Sequence, residues 1–108
     1  MSTRTFGNRI RELREKKGLS LREFGKGLGG LSAAFLSDIE LGRRYPSDRV
    51  IEEMARVLDV DVEELRSYDP RAPVEDMRRL AESNPAYGLA FRKVIDSNVS
   101  PEELIKLA

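Results

Sequence analysis

The sequence of 108 residues contains no cysteine and no histidine. The absence of cysteine excludes disulfides, thiolate zinc sites and cysteine nucleophiles, and the absence of histidine removes the commonest general base and metal ligand. The longest stretch without a charge, residues 27–37, includes two adjacent glycines and two serines and does not have the pattern of a membrane span. We therefore expect no enzymatic activity, no metal or cofactor and no membrane association.

The N-terminus lacks the apolar core of a secretory signal peptide, which predicts a cytoplasmic protein. Hydrophobic residues make up 40% of the chain and charged residues 35%. This composition is typical of one small folded domain, or of a domain with an appended subdomain.

The net charge of zero hides an uneven distribution of charge along the chain. Residues 1–49 hold 11 basic and 6 acidic residues, whereas residues 50–108 hold 8 basic and 13 acidic residues. A positive N-terminal half suggests a surface that meets a polyanion. Ordinary solvated helix faces would give similar counts, so charge alone leaves both interpretations open.

Apolar spacing and capping residues predict helices along the whole chain and no strands. Phe6, Ile10 and Leu13 recur at helical spacing on one face, and Ser20 with Glu23 forms a capping-box pattern. The predicted helices cover about residues 5–17, 21–28, 33–41, 48–58, 62–68, 74–83 and 85–97, and a last one follows Ser100.

Residues 69–73 contain two prolines and read as a linker, because proline and the residue before it favour extended backbone. The predicted organisation is a first domain over residues 1–68 and a helical tail over residues 74–108.

The second and third predicted helices are short and adjacent, and a turn containing Gly29-Gly30 joins them. The third helix is small enough to enter a DNA major groove, although a generic helical hairpin has the same pattern. Its buried face should include Leu36 and Ile39. Phe35 is compatible with either the core or the outer face.

Several motifs between residues 6 and 65 resemble the Cro-type, or XRE-type, helix-turn-helix of the lambda-repressor-like fold. They are Ile10-Arg11-Glu12-Leu13-Arg14, Lys17-Gly18-Leu19-Ser20, Leu36 through Ser47, and Ala55 through Val62 with Glu64 and Leu65. The resemblance implies an all-α chain, in which a five-helix lambda-repressor-like helix-turn-helix domain precedes about three C-terminal helices. It also implies a sequence-specific regulator of transcription, most simply a repressor, that binds double-stranded DNA. Such a protein would be associated with the nucleoid when it is bound to DNA.

The resemblance further implies which residues meet DNA. The residues that begin the third helix, and two residues one turn later, would face base edges. They are Ser32, Ala33, Ala34, Phe35, Ser37 and Asp38. Basic residues would contact phosphate, namely Arg43 and Arg44 in the loop after that helix, and Arg22 and Arg9 on exposed faces. The chain departs from the family pattern at Leu21, where glutamine is usual, and in the turn at Gly29-Gly30, which is one residue longer.

Two acidic segments have structural explanations. A carboxylate beside DNA is repelled by phosphate, so we expect Glu40 to pair with Arg14 or Arg44 and to hold the loop. The acidic run from Asp61 to Glu64 has the spacing of a helix start rather than of a metal site.

The tail carries more apolar residues than three short helices can bury alone. It either packs back on the first domain or pairs with a second copy, and we favour pairing. The residues expected to mediate dimerisation are Tyr87, Phe91, Val94, Ile95 and Leu104. A homodimer would present two third helices about one DNA turn apart to a palindromic operator. In an alternative interpretation the protein is an antitoxin or interaction module whose tail binds a toxin or a metallopeptidase.

Overall fold

The structure, a computed structural model, describes residues 5–108, and in that range the chain forms eight α-helices and no strand. The helices are α1 (Phe6–Lys16), α2 (Leu21–Gly27), α3 (Ala33–Glu40), α4 (Asp48–Leu58), α5 (Val62–Arg66), α6 (Val74–Ser83), α7 (Pro85–Ser97) and α8 (Pro101–Leu107). The predicted all-α class and the number of helices are confirmed. Arg4, one of the basic residues counted above, lies outside the described residues.

Side-chain caps begin seven of these helices. The hydroxyl of Ser20 accepts a hydrogen bond from the backbone N–H of Glu23, and the Glu23 carboxylate accepts one from the N–H of Ser20, which completes the predicted capping box. The other side-chain caps are Thr5, Ser32, Ser47, Asp61, Asn84 and Ser100. The position of Asp61 confirms that the acidic run opens a helix.

The chain divides after Pro70 into two compact units. The first has a continuous apolar core from α1 to α5, formed by Phe6, Ile10, Leu13, Phe24, Leu28, Leu36, Ile39, Ile51, Met54, Ala55, Leu58 and Leu65. α3 contributes to this core through two side chains and therefore keeps a fixed position in the first unit.

The turn between α2 and α3 folds back over α2. The N–H groups of Gly30 and Leu31 both donate to the carbonyl of Gly25, at 3.0 and 3.1 Å. Gly29 and Gly30 have φ values of +82° and +96°, which residues with a side chain rarely adopt. A Cβ at Gly25 would overlap the carbonyl oxygen of Leu31. The additional residue is therefore accommodated in a compact turn, which requires glycine at positions 25, 29 and 30.

In the second unit α6 packs against α7, and α8 follows. None of residues 71–108 is as buried as the core of the first unit. Its exposed large apolar residues are Val74, Leu80, Tyr87, Leu89, Ile95, Leu104, Ile105 and Leu107. No helix between residues 5 and 108 is long and apolar enough to cross a bilayer.

Candidate nucleic-acid interface

α3 has one face in the core and one face outward. Leu36 and Ile39 are each 1% exposed, as predicted. Ser32 begins the helix, and its hydroxyl accepts a hydrogen bond from the N–H of Phe35 at 3.1 Å. Anchoring of the inner face leaves the opposite face available to a ligand.

The residues predicted to meet base edges lie together on or beside this outer face. Ser32 and Ala34 are exposed, and Ala33, Ser37 and Asp38 are partly exposed. Phe35 packs against the core and is also partly exposed, so its side chain lies at the boundary between the core and the outer face. Their DNA contacts stay a prediction.

The loop after α3 turns back on the helix because of Gly42. Gly42 has a φ of +79°, its N–H donates to the carbonyl of Ile39, and the N–H of Arg43 donates to the carbonyl of Asp38 at 2.8 Å. This is a Schellman motif, which requires a left-handed residue at the position of Gly42. The two loop arginines are thereby placed beside α3.

Both loop arginines meet the same carboxylate. Arg43 Nη1 and Arg44 Nε each lie 3.6 Å from a carboxylate oxygen of Asp38. The guanidinium carbon of Arg44 also lies 5.9 Å from the ring centroid of Phe35, within the range of a cation–π contact. The arginine side chains are 70% and 62% exposed, so they remain accessible to phosphate or base oxygens.

Glu40 pairs with Arg14, one of the two partners expected from the sequence. Arg14 Nε donates to Glu40 Oε2 at 2.7 Å and Nη2 donates to Oε1 at 3.1 Å. Arg14 Nη1 also donates to the carbonyl of Leu19 at 2.8 Å. Hydrogen bonding to Glu40 raises the pKa of the Arg14 guanidinium. Glu40 therefore fixes α3 against α1.

The expectation that Arg9 lies on an exposed face is wrong. Its side chain is 18% exposed, because the guanidinium donates to Glu64 of α5 and to Glu12 of α1. Hydrogen bonding to Glu64 raises the pKa of Arg9. Arg22, by contrast, is exposed in the first turn of α2, where a phosphate contact stays a prediction.

An open cavity with a volume of about 660 Å³ lies where the starts of α1 and α2 meet the end of α3. Ser37 lines it together with Asn8, Leu21, Leu41 and Tyr45. Leu41 and Tyr45 are 59% and 40% exposed, and neither is among the site residues predicted from the sequence. Their exposure beside α3 is visible only in the folded chain, so the sequence alone carries no signal that singles them out.

Within residues 5–108 no three acidic side chains are grouped so that they could hold a metal ion. The outer face of α3 and its loop present a small apolar surface, the hydroxyls of Ser32 and Ser37, the Asp38 carboxylate and two guanidinium groups.

Comparison with known proteins matches the first unit to a sequence family. The family described as a helix-turn-helix domain matches residues 5–67. An uncharacterized HTH-type transcriptional regulator of Bacillus subtilis, YazB, is 40% identical over 65 residues, which is 60% of this chain and 93% of YazB. The HTH-type transcriptional repressor RghR of the same bacterium is 29% identical over 116 residues, covering 95% of this chain and 85% of RghR.

Two solved structures of the regulator SinR are also similar to the chain. SinR in complex with DNA, described as the master regulator for biofilm formation, is 37% identical with a TM-score of 0.53, covering 56% of this chain and 97% of that one. A complex of the SinR and SinI proteins is 25% identical with a TM-score of 0.53, covering 95% of this chain and 90% of that one.

Proposed function

The chain belongs to the helix-turn-helix domain family, and from this membership we propose that it is a DNA-binding regulator of transcription, most simply a dimeric repressor that inserts α3 into the major groove of a palindromic operator. The observation that carries the proposal is the placement of Arg43 and Arg44 beside the outer face of α3. RghR is a transcriptional repressor and SinR forms a complex with DNA, and both similarities support a repressor that binds DNA.

Binding energy should come chiefly from phosphate contacts, so affinity should fall steeply as salt rises. Arg43 and the exposed Arg22 are the expected phosphate partners. Replacing Arg43 with alanine should weaken binding to every duplex and reduce the log–log salt slope by about 0.9, the value for one neutralised phosphate. An unchanged slope would remove this role from Arg43.

The direct test is selection from a random duplex library with the purified full chain. A regulator of the proposed kind enriches a two-fold symmetric site, and footprinting then shows two protected half-sites about 34 Å apart. If the protein ignores every duplex in dilute buffer, the proposed function is wrong.

The second unit is the proposed dimerisation region. Ile95 is 75% exposed and Tyr87 43% exposed, and Phe91 and Val94 are partly exposed on the same helix. An apolar surface of this kind is typical of a protein–protein contact. Leu104, the predicted dimerisation residue on α8, is 37% exposed.

Replacing Ile95 with aspartate tests this role in the full chain. We expect sedimentation to show a dimer for the wild type and a monomer for the variant. Ser97→Asp is the matched control, because it adds the same charge to the same helix at an exposed polar position. A wild type that is strictly monomeric and protects one half-site would contradict the dimer.

A second candidate function is the binding of a partner protein through the same unit. The SinR–SinI structure favours it, because that similarity covers 95% of this chain, including the second unit. A toxin or a metallopeptidase is the partner class expected from the sequence. Co-purification with mass spectrometry, repeated with Ile95→Asp, tests it; a defined partner lost in the variant supports the candidate, and an unchanged set of proteins contradicts it.

A further inference from the structure

The outer face of α3 is short of groups that can distinguish one base from another. Helix residues 33–40 include no arginine, lysine, asparagine or glutamine. The hydroxyl of Ser32 is engaged in capping the helix. Ala33 and Ala34 offer only methyl groups, which suit the methyl of thymine, whereas guanine is read by a pair of parallel donors. A donor pair must come from outside the helix.

Arg44 brings such a pair onto this face. Its guanidinium lies over the ring of Phe35, and its Nε faces Asp38. Phe35 and Asp38 are three residues apart and therefore neighbours on one side of α3. The ring and the carboxylate favour a position of the guanidinium beside the helix before DNA binds, which lowers the entropy lost on binding.

The free edge of Arg44 has the geometry needed for a base. With Nε directed at Asp38, the Nη1 and Nη2 groups form the other edge of a side chain that is 62% exposed. Two parallel N–H donors match the N7 and O6 acceptors of guanine in the major groove.

Arg43 differs in two respects. It faces Asp38 through Nη1, which is part of the edge that would meet a base, and no aromatic ring in the described part of the chain supports it. Its side chain is also the more exposed of the two, at 70% against 62%. Contact with a phosphate requires a positive charge at the right distance but no paired donors, so Arg43 is better placed to bind phosphate than to read a base.

We propose that Arg44 is a specificity-determining residue, a loop side chain that α3 uses to read a guanine in each half-site, with Phe35 and Asp38 as its positioning residues. This rests on the proposed DNA-binding function, and it replaces the phosphate role that the family resemblance implied for Arg44. Lysine carries the same charge without the paired donors, so charge and base reading are separable at this position.

The experiment compares Arg44→Lys with the matched control Arg43→Lys. A duplex library selection with the wild type defines the preferred site, and titrations then use that site and versions with each guanine replaced. We expect the wild type to lose about 10-fold or more in affinity at one G·C pair per half-site. Arg44→Lys should lose that discrimination and keep the wild-type salt slope, whereas Arg43→Lys should keep the discrimination.

Two further variants test the positioning by Phe35. Phe35→Leu should weaken binding to the preferred site more than binding to the guanine-replaced site, and Phe35→Tyr, which keeps the ring, should retain the discrimination of the wild type. A merely structural role would weaken both sites equally. If Arg44→Lys discriminates as the wild type does, the inference is wrong and the proposed function stands. If the wild type binds no duplex, both are wrong.

Discussion

The guanidinium of Arg14 and the carboxylate of Glu40 form a two-contact ion pair that joins α1 to the last residue of α3. The side chains are 11% and 7% exposed. A charge removed from water to this extent depends on its partner, because an unpaired buried charge is costly. The pair thus sets the position of α3, and through α3 that of the loop arginines.

Replacing Glu40 with alanine should therefore lower the free energy of unfolding by about 3–5 kcal/mol, since it leaves the Arg14 guanidinium buried without its counter-charge. Denaturant unfolding followed by circular dichroism measures this. The matched control is Glu15→Ala, which breaks the exposed pair with Arg11 and should cost no more than about 0.5 kcal/mol. Equal losses in the two variants would contradict the role given to Glu40.

Glycines in the two units should respond in opposite ways to alanine. A Cβ at Gly7 would lie 2.5 Å from the carbonyl oxygens of both Ile39 and Glu40, and backbone atoms cannot move aside cheaply. At Gly88 the nearest atom is the Cβ of Ala81 at 3.7 Å, an ordinary contact. We expect Gly7→Ala to destabilise the first unit by about 1–3 kcal/mol.

Gly88→Ala should instead stabilise the second unit by about 0.5–1 kcal/mol, because alanine is the better residue inside a helix. Amide hydrogen exchange measures each unit separately, with the amides of α1 reporting on Gly7→Ala and those of α7 on Gly88→Ala. Stabilisation of α1 by Gly7→Ala would show that the carbonyl oxygens of Ile39 and Glu40 lie farther than 2.5 Å from a Cβ at Gly7.

The helices could be predicted from the sequence because their signals are local. Ser20 with Glu23, and the caps Ser32 and Ser47, lie within three residues of the N–H groups they bond. The outward face of α3 followed equally from the spacing of Leu36 and Ile39. Such features need no knowledge of the rest of the chain.

Contacts between distant segments could be predicted only in part, since Arg14 was one of two partners expected for Glu40. Arg9 meets Glu64 from 55 positions away, so a residue expected on an exposed face is instead tied to α5. The requirement for glycine at Gly7 and Gly25 arises from carbonyls of other segments. The support of Arg44 by Phe35 depends on the turn at Gly42, which brings the loop back over α3.

The capping box of α2 should make stability sensitive to acid. Hydrogen bonding to the backbone N–H of Ser20 lowers the pKa of Glu23 below its ordinary value of 4.5. Because the folded-state pKa is depressed, the stabilisation is present above the unfolded value and is lost as pH falls through the folded value. The amide of Glu23→Gln does not titrate in this range.

The difference in stability between wild type and Glu23→Gln should therefore be constant near neutral pH and should change once pH falls below the ordinary value of 4.5. Unfolding curves recorded at a series of pH values supply this difference. A difference that stays constant through the acid range would show that the Glu23 carboxylate gains nothing from Ser20 in the folded state.

The Asp38 carboxylate should oppose DNA binding in general and favour one sequence in particular. It lies on the outer face of α3, where it would be repelled by phosphate, and it faces both Arg43 and Arg44 at 3.6 Å. Asp38→Asn removes one negative charge and should raise affinity for duplexes that lack the preferred site several-fold at low salt. Discrimination at the guanine assigned to Arg44 should fall at the same time, because the asparagine side chain holds the guanidinium less firmly.

Titrations of a preferred and a guanine-replaced duplex measure both effects. Asp96→Asn, which makes the same charge change in α7, is the control for net charge and should alter neither the ratio nor the affinity for replaced sites beyond a small uniform shift. If Asp38→Asn weakens binding to both duplexes alike, Asp38 contributes to affinity directly, for instance by accepting from a cytosine amine, and its role as the residue that orients Arg44 is wrong.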